Sequence, residues 1–378
     1  MINRNLPTAR ETFDMEEQTI RVQRSETKKE KPQSDQLIFG RSFTDHMFVM
    51  DYSDPLGWHN ASIVPYQPLT IDPSSMIFHY GQSVFEGLKA FRTDSGDIQL
   101  FRAEKNLERL NRSNDRLCIP QIDEEFTLKA IKQLISIDKD WVPSAEGTSL
   151  YIRPFIISTE AYIGVAPSMS YKLIVILSPV GAYYKEGINP VKIAVEDHYV
   201  RTVKGGTGEA KTGGNYASSL KAQEIVAKQG FAQVLWLDGV EKKYVEEVGS
   251  MNVFFKINGE VFTPQLNGSI LSGVTRSSVI ELLKHWGVPV SEKRISIQDL
   301  YQAYLDGELE EAFGSGTAAV ISPIGQLTWE GKDMIINNGE TGELSKRIYD
   351  TITGIQYGDL DDPFQWVQGI EAKSPVKH

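Results

Sequence analysis

A lysine flanked on both sides by glycines stands in the run Lys204-Gly205-Gly206-Thr207-Gly208-Glu209-Ala210-Lys211-Thr212-Gly213-Gly214-Asn215-Tyr216. Such flanks put a long amine on backbone that can approach a ligand closely. Two chemistries use that arrangement: the phosphate-binding loop of nucleotide-binding proteins, and a lysine that forms a Schiff base with an aldehyde cofactor. Gly205 with Ala210-Lys211-Thr212 departs from the phosphate-loop pattern only where alanine replaces its last glycine. Val234-Leu235-Trp236-Leu237-Asp238 even imitates the acidic strand that accompanies such loops. Context points the other way. A phosphate loop follows a buried apolar strand and opens a helix. Here Asp197-His198-Tyr199-Val200-Arg201-Thr202-Val203 is polar, and Gly213, Gly214 and Asn215 predict a break at the first helical turn. Asp238-Gly239 reads as a hairpin turn.

The aldehyde cofactor pyridoxal phosphate makes four demands: an amine for the aldehyde, a carboxylate for the ring nitrogen, a partner for the ring hydroxyl, and a cup for the phosphate. Glu247, in Tyr244-Val245-Glu246-Glu247-Val248-Gly249-Ser250-Met251-Asn252, is the candidate carboxylate, since a nearby anion favours the protonated pyridine. Strand alternation sends Glu246 and Glu247 to opposite faces, and Glu246 is expected to be solvated. Gly273-Val274-Thr275-Arg276 opens an amphipathic pattern, so free N–H groups and the positive helix end suit a phosphate. The small-residue run Gly314-Ser315-Gly316-Thr317-Ala318 offers further donors, and Arg102 a charge-assisted contact.

The elements that must position these groups can be read from periodicity. Leu107, Leu110 and Leu117 fit one helix face beginning near Ala103, and Leu128, Ile131, Leu134 and Ile135 fit another. Leu150–Ile157 and Leu173–Leu177 read as buried strands, the second stopped by Ser178-Pro179. After the strand Val191–Val195, two hairpins are predicted: Val234–Leu237 with Tyr244–Val248, and Val253–Ile257 with Glu260–Thr263 about Asn258-Gly259. A helix near Ser272–Trp286 carries Val279, Leu282, Leu283 and Trp286 on one face. Hairpin-linked strands mixed with helices predict an α+β fold. A chain of 378 residues predicts two domains. Residues 1–35 read as a polar, mobile tail, 36–181 as a smaller domain, 182–190 as a linker, and 191–378 as a larger domain carrying Lys211.

A net charge of -11 disfavours nucleic acid or acidic membranes as partners. The single cysteine, Cys118, excludes an internal disulfide and a thiolate-rich metal site, and fits a reducing cytoplasm. No metal site is expected. No apolar run approaches membrane-spanning length, and the N-terminus lacks the apolar core of a secretory signal.

Taken in order, several stretches resemble the branched-chain amino acid aminotransferases, pyridoxal-phosphate enzymes of fold type IV (the D-amino acid aminotransferase-like fold). They are Phe39-Gly40-Arg41-Ser42-Phe43, Val84-Phe85-Glu86-Gly87-Leu88-Lys89-Ala90, Leu100-Phe101-Arg102 and Ser149-Leu150-Tyr151-Ile152-Arg153-Pro154. Lys211-Thr212-Gly213-Gly214-Asn215-Tyr216, Glu247-Val248-Gly249-Ser250-Met251-Asn252, Leu271-Ser272-Gly273-Val274-Thr275-Arg276 and Phe313-Gly314-Ser315-Gly316-Thr317-Ala318 continue the series. The resemblance implies that Lys211 is the Schiff-base lysine and Glu247 the ring-nitrogen carboxylate. Tyr216 and Arg201 would lie near the ring hydroxyl, and Arg102, the Val274 and Thr275 amides and Thr317 would form the phosphate cup. Phe43, Tyr80, Phe85, Tyr151 and Ser250 would line the substrate pocket, with the Thr317–Ala318 turn near the substrate carboxylate. Ile163 and Val165 match a loop that closes the pocket from the other subunit, which implies a homodimer.

The implied reaction moves the amino group of L-leucine, L-isoleucine or L-valine to 2-oxoglutarate by a ping-pong route through the lysine Schiff base. An aromatic wall without fixed charge suits such side chains, at roughly 0.8 kcal/mol per buried CH₂. D-amino acid aminotransferases and aminodeoxychorismate lyases share the fold and the lysine, and remain as alternatives beside the phosphate-loop reading.

Overall fold

The computed structural model of the chain describes residues 19–181 and 188–370. Its first part contains β1 (Arg21–Val22), β2 (His46–Ser53), β3 (Gly57–Pro65), α1 (Met76–Tyr80), β4 (Ser83–Phe85), β5 (Leu88–Arg92) and β6 (Ile98–Phe101). Two helices follow, α2 (Ala103–Arg116) and α3 (Glu124–Ile137), then the long strands β7 (Ser149–Ser158) and β8 (Ser170–Val180). The second part holds β9 (Val191–Glu196), α4 (Gly213–Lys228), β10 (Gln233–Leu237), β11 (Val245–Val248), β12 (Asn252–Ile257) and β13 (Glu260–Thr263). It continues with α5 (Val274–His285), β14 (Val290–Glu292), α6 (Ile297–Leu305), β15 (Leu309–Gly316) and β16 (Val320–Trp329). β17 (Lys332–Ile335), α7 (Glu343–Tyr357) and β18 (Val367–Gly369) complete it.

The strands form two nine-stranded sheets, and the fold is α+β. One is ordered β1-β3-β2-β8-β7-β5-β6-β18 with β4 on β7; the other is ordered β11-β10-β9-β16-β15-β12-β13-β14 with β17 on β16. Leu107 and Leu110 of α2 and Ile131 and Leu134 of α3 are fully buried against the first sheet. Asp123 caps α3 by accepting from the Phe126 amide at 2.8 Å, an interaction worth about 1 kcal/mol. At the β12–β13 hairpin Asn258 and Gly259 both take positive φ, 50° and 79°, as a two-residue turn of matching twist requires. A third core joins the sheets. Phe91 and Phe101 from the first meet Phe254 and Phe313 from the second, with Val279 of α5 and Ile348 of α7. That shared core fixes the cleft in which the functional groups meet.

Four local expectations differ from the structure. The stretch before residue 36 is docked from its first described residues: β1 pairs in parallel with Ser62 and Ile63, the Ser25 amide donates to His46 Nε2 at 2.8 Å, and the Lys29 amide donates to Asp45 at 2.8 Å. Buried acceptors on β2 and its approach hold this polar segment, so apolar content alone misjudged it. The end of the chain returns to the first sheet, where β18 pairs with β6. β8 continues through Ser178-Pro179 to Val180, with Pro179 opposite Leu150. Gly213 and Gly214 open α4 instead of breaking it, because Asn215 staples the turn by donating to the Thr207 and Ala210 carbonyls, both at 2.8 Å. Most of the expected linker, residues 182–187, lies outside the described residues, as do residues 1–18 of the expected tail. Among the described residues no helix is long and apolar enough to cross a membrane.

Candidate active site

Lys211 lies two residues before α4, and its backbone is held by α2 and by β4 of the first sheet. Its N–H donates to Ser113 Oγ of α2 at 2.9 Å, its carbonyl accepts from the Phe85 amide at 3.0 Å, and Thr212 Oγ1 donates to the Ser83 carbonyl at 2.7 Å. The side chain therefore leaves from a pinned peptide. Its ammonium donates to the Tyr216 hydroxyl at 2.7 Å and lies 4.9 Å from the centre of the Phe85 ring. Tyr216 is one helical turn after Thr212, so the start of α4 sets its approach. Lys211, Tyr216, Arg201, Glu247, Ser250 and Leu271 line one cavity.

Opposite the lysine, Glu247 is buried on β11. The Leu271 amide donates to its Oε1 at 2.8 Å, and Arg201 Nε lies 3.1 Å from Oε2 without the alignment of a hydrogen bond. Burial pushes its carboxyl above the ordinary range; Arg201 and the Leu271 amide oppose that and favour the anion. Arg201 is itself fixed by the carbonyls of Gly208 and Ser269. The expectation of a solvated Glu246 is corrected: both glutamates are 3% exposed. The loop through Asn267–Leu271 covers the other face of this edge strand, where Ser269 Oγ and Asn267 donate to Glu246.

A second cavity is separated from the first along the chain only by Ser272 and Gly273, and it is lined by Val274, Thr275, Thr317, Lys89, Asn106 and Gln356. Gly273 is extended, and no side chain caps α5, so this helix end faces the cavity without an internal acceptor. A Cβ at Gly273 would collide with Asn252 Oδ1, whose amide in turn donates to the Leu271 carbonyl at 2.9 Å. Only glycine permits that approach. Gln356 Oε1 is buried there without a partner. Arg102 sits at the N-cap of α2 with φ of 49°, but its guanidinium reaches the second turn of α5, at Ser278 Oγ (3.0 Å) and Glu281 (2.9 Å). Its Nε is buried and unpartnered.

Lys89 was not singled out from sequence. It projects from β5 to the Ala318 carbonyl at 2.8 Å, and burial pushes its ammonium down to about 8. A lysine inside the apolar run of β5 was the available signal. Arg153 was missed as well. It shares a face of β7 with Tyr151, donates to the Tyr151 hydroxyl at 3.0 Å, and stacks 4.8 Å from the Phe85 ring centre. Gly87 makes room for the Tyr151 hydroxyl, since a Cβ there would overlap it.

The remaining candidates are more dispersed. Phe43 stacks on Tyr66 at 5.2 Å, while Phe39 packs edge-on against Tyr151 at 4.7 Å. Thr317 and Ala318 form the turn between β15 and β16. Tyr80, Ile163 and Val165 are 39%, 66% and 88% exposed. Among the described residues no cluster of His, Cys, Asp and Glu has a metal-binding arrangement.

The sequence pattern of the family described as amino-transferase class IV matches residues 83–327, which include every residue lining the first cavity and all of those named for the second except Gln356. The branched-chain-amino-acid aminotransferase 2 of Bacillus subtilis (strain 168) is 66% identical over 363 residues, covering 96% of this chain and all of the relative. The crystal structure of the Escherichia coli branched-chain amino acid aminotransferase superposes with a TM-score of 0.72 at 26% identity, covering 86% of this chain and 99% of that one. The branched-chain aminotransferase of the thermophilic archaeon Thermoproteus uzoniensis, solved with norvaline, also gives 0.72, at 25% identity, covering 86% and 100%. A further branched-chain amino acid aminotransferase, solved with pyridoxamine 5′-phosphate, gives 0.70 at 26% identity, covering 85% and 98%. The chain belongs to the branched-chain amino acid aminotransferases, within the class-IV aminotransferase family of fold type IV.

Proposed function

We propose that this chain transfers the amino group of L-leucine, L-isoleucine and L-valine to 2-oxoglutarate, with pyridoxal phosphate carried on Lys211. The placement of Lys211 supports this most directly: a pinned amine held by a tyrosine hydroxyl, facing a buried carboxylate, beside an uncapped helix end. The donor set fits the cofactor. Glu247 would meet the ring nitrogen, Tyr216 and Arg201 the ring hydroxyl, and Val274, Thr275 and Thr317 the phosphate, with Arg102 behind them. When bound, the cofactor supplies an aldehyde that condenses with amines and a ring that draws electrons from the substrate Cα.

The rest falls to the chain's own groups. Lys211, displaced as a free amine, would take the Cα proton and deliver it to the carbon on the other side of the transferred nitrogen, acting as base and then acid. Glu247, which Arg201 and the Leu271 amide draw toward the anion against the effect of its burial, would hold the opposing charge. Phe85 packs on Tyr216 beside the amine and Phe39 packs on Tyr151, so these rings would face the substrate side chain, while Ser250 lines the cavity of Lys211. The Thr317–Ala318 turn, held by Lys89, would receive the substrate carboxylate. Arg153 places one cation in the aromatic wall, where a second carboxylate can be recognised. Tyr80, Ile163 and Val165 are exposed apolar residues that a second copy would cover in the homodimer that this reading includes. The cytoplasm is the proposed compartment, in keeping with a single, exposed cysteine.

Visible absorbance of the protein loaded with pyridoxal phosphate tests the proposal. L-leucine should remove the band of the lysine-bound cofactor and 2-oxoglutarate should restore it, while D-leucine does neither. Borohydride reduction and peptide mapping should place the pyridoxyl label on Lys211. A label on Lys204 or Lys221, a response to D-leucine, or release of pyruvate from aminodeoxychorismate would overturn it.

Glu247→Gln should retain cofactor yet slow Cα proton removal. A charge-assisted hydrogen bond is worth roughly 1.5–3 kcal/mol, so the loss is on the order of ten- to a hundredfold. Glu246→Gln, on the Ser269 side, should lower the melting temperature and change turnover less than about threefold. Isotope-sensitive half-reaction rates for both variants decide it; equal slowing would mean the two carboxylates act together.

A further inference from the structure

Asn106, Arg109 and Ser113 place polar side chains on a buried face of α2, and Arg116 continues that face at the exposed end of the helix. Asn106, Arg109, Ser113 and Arg116 follow one another at three- and four-residue steps, within roughly 80° of arc, while Leu107 and Leu110 fill the core beside them. Asn106 and Arg109 share Glu86, and Arg109, Ser113 and Arg116 each reach a further segment. Arg109 clasps the fully buried Glu86 with two hydrogen bonds, at 2.7 and 2.9 Å, and its remaining nitrogen donates to the Ser272 carbonyl at 3.1 Å. Asn106 completes the Glu86 carboxylate at 2.9 Å. Ser113 Oγ accepts from the Lys211 amide at 2.9 Å and donates to the Arg109 carbonyl at 3.0 Å. Arg116 donates to the carbonyls of Gly205 and Gly206, both at 3.1 Å.

Ser272 leads into the N-terminus of α5, and Lys211 carries the amine. A single rigid helix therefore fixes both peptides, four residues apart along its own axis, and that spacing sets amine and phosphate cup relative to each other. We propose that Ser113 and Arg109 are positioning residues for amino transfer: the polar face of α2 acts as a ruler between Lys211 and the helix end that holds the phosphate. This rests on the function proposed above. Packing alone does not call for it, because a buried ion pair is weak grounds for stability and an apolar face would serve a structural role as well.

Ser113→Ala leaves the Lys211 amide without its acceptor. The holoenzyme variant should lose about tenfold in the leucine half-reaction, the effect of one hydrogen bond felt in the transition state, with KM within about twofold. The pH midpoint of its visible band should move by about half a unit or more, since the amine is displaced relative to its surroundings. Arg109→Lys keeps the charge beside Glu86 but loses the fork that reaches Ser272. It should weaken retention of pyridoxal phosphate about tenfold and leave pyridoxal, which lacks the phosphate, unchanged. Ser113→Ala with wild-type kcat and band midpoint but a lower melting temperature would mean a structural role only. If Ser113→Ala does not fold, Arg109→Lys decides alone: equal loss of both aldehydes, or loss of neither, overturns the ruler. A wild-type protein with no band and no leucine half-reaction would sink the proposed function itself, whereas a responsive wild type with indifferent variants removes only this inference.

Discussion

Replacing Lys211 with alanine is expected to remove measurable amino transfer and leave the fold intact. The two roles separate because backbone and side chain do different things at this position. The peptide is what the structure uses: its N–H meets Ser113 and its carbonyl meets Phe85, and both bonds survive in alanine. The side chain reaches the Tyr216 hydroxyl and two aromatic faces, and among the described residues no carboxylate forms an ion pair with its ammonium. Losing a partly buried cation that serves no anchor should change stability by no more than about 0.5–1 kcal/mol, or a few degrees in melting temperature. Turnover should behave otherwise. Positioned proton transfer alone contributes about 10²–10⁴, and covalent capture of the cofactor adds to it, so a loss beyond about 10³-fold is expected. Cofactor should stay in place through the contacts at the start of α5. Single-turnover measurement with L-leucine, paired with calorimetry, tests both halves. Residual activity above about 1% with an unchanged melting temperature would move the proton-transfer role to another group, and Lys89, buried in the cavity lined by Val274, Thr275 and Thr317, would then be the next residue to test.

Much of this arrangement was legible because local chemistry dictated it. Asn258-Gly259 encodes its own hairpin, the leucine spacing in α2 encodes a buried face, and the glycine-flanked lysine announces close backbone approach. Alternation singled out one of Glu246 and Glu247 for burial, and the structure buries both, with Glu247 lining the cavity of Lys211. What escaped depended on partners remote in sequence. Glu246 reads as solvated because nothing near it reveals that the loop through Asn267–Leu271 folds over its face. The segment around Ser25 and Lys29 looks like a tail because its anchors, His46 and Asp45, are acceptors some 16 to 21 residues downstream. Gly213 looks like a breaker because the staple from Asn215 runs backwards into the preceding loop. Arg153 is a different kind of miss. Its neighbour Tyr151 is a candidate from the same strand, and a period of two puts both on one face, so the pattern already contained it.

That shared face leads to a separation of substrates. Arg153 lies over the Phe85 and Tyr151 rings, 4.8 and 5.2 Å from their centres, and donates to the Tyr151 hydroxyl. Its Nε is buried with no partner, an incomplete arrangement for a guanidinium that stacking alone does not repair. A ligand carboxylate would complete it. Glutamate and 2-oxoglutarate carry a second carboxylate at the end of the side chain, and leucine carries none, so the cation can contribute to one half-reaction only. Arg153→Met keeps most of the stem and the contact with Phe85 while removing every donor. Two charge-assisted hydrogen bonds at about 1.5–3 kcal/mol each, partly offset by the cost of desolvating the ion, leave an expected loss of about 10²–10³ in kcat/KM for 2-oxoglutarate and glutamate. Leucine should stay within about threefold, because an apolar side chain in an aromatic wall loses little when a thioether replaces a stacked guanidinium. The ratio of the two half-reaction rates isolates this from any general damage to the fold, which would depress both. Equal losses for leucine and 2-oxoglutarate would make Arg153 a piece of the wall, and the second carboxylate would have to be recognised elsewhere. A selective loss would place dicarboxylate recognition inside the same aromatic pocket that takes the branched side chain, with one buried cation telling the two substrates apart.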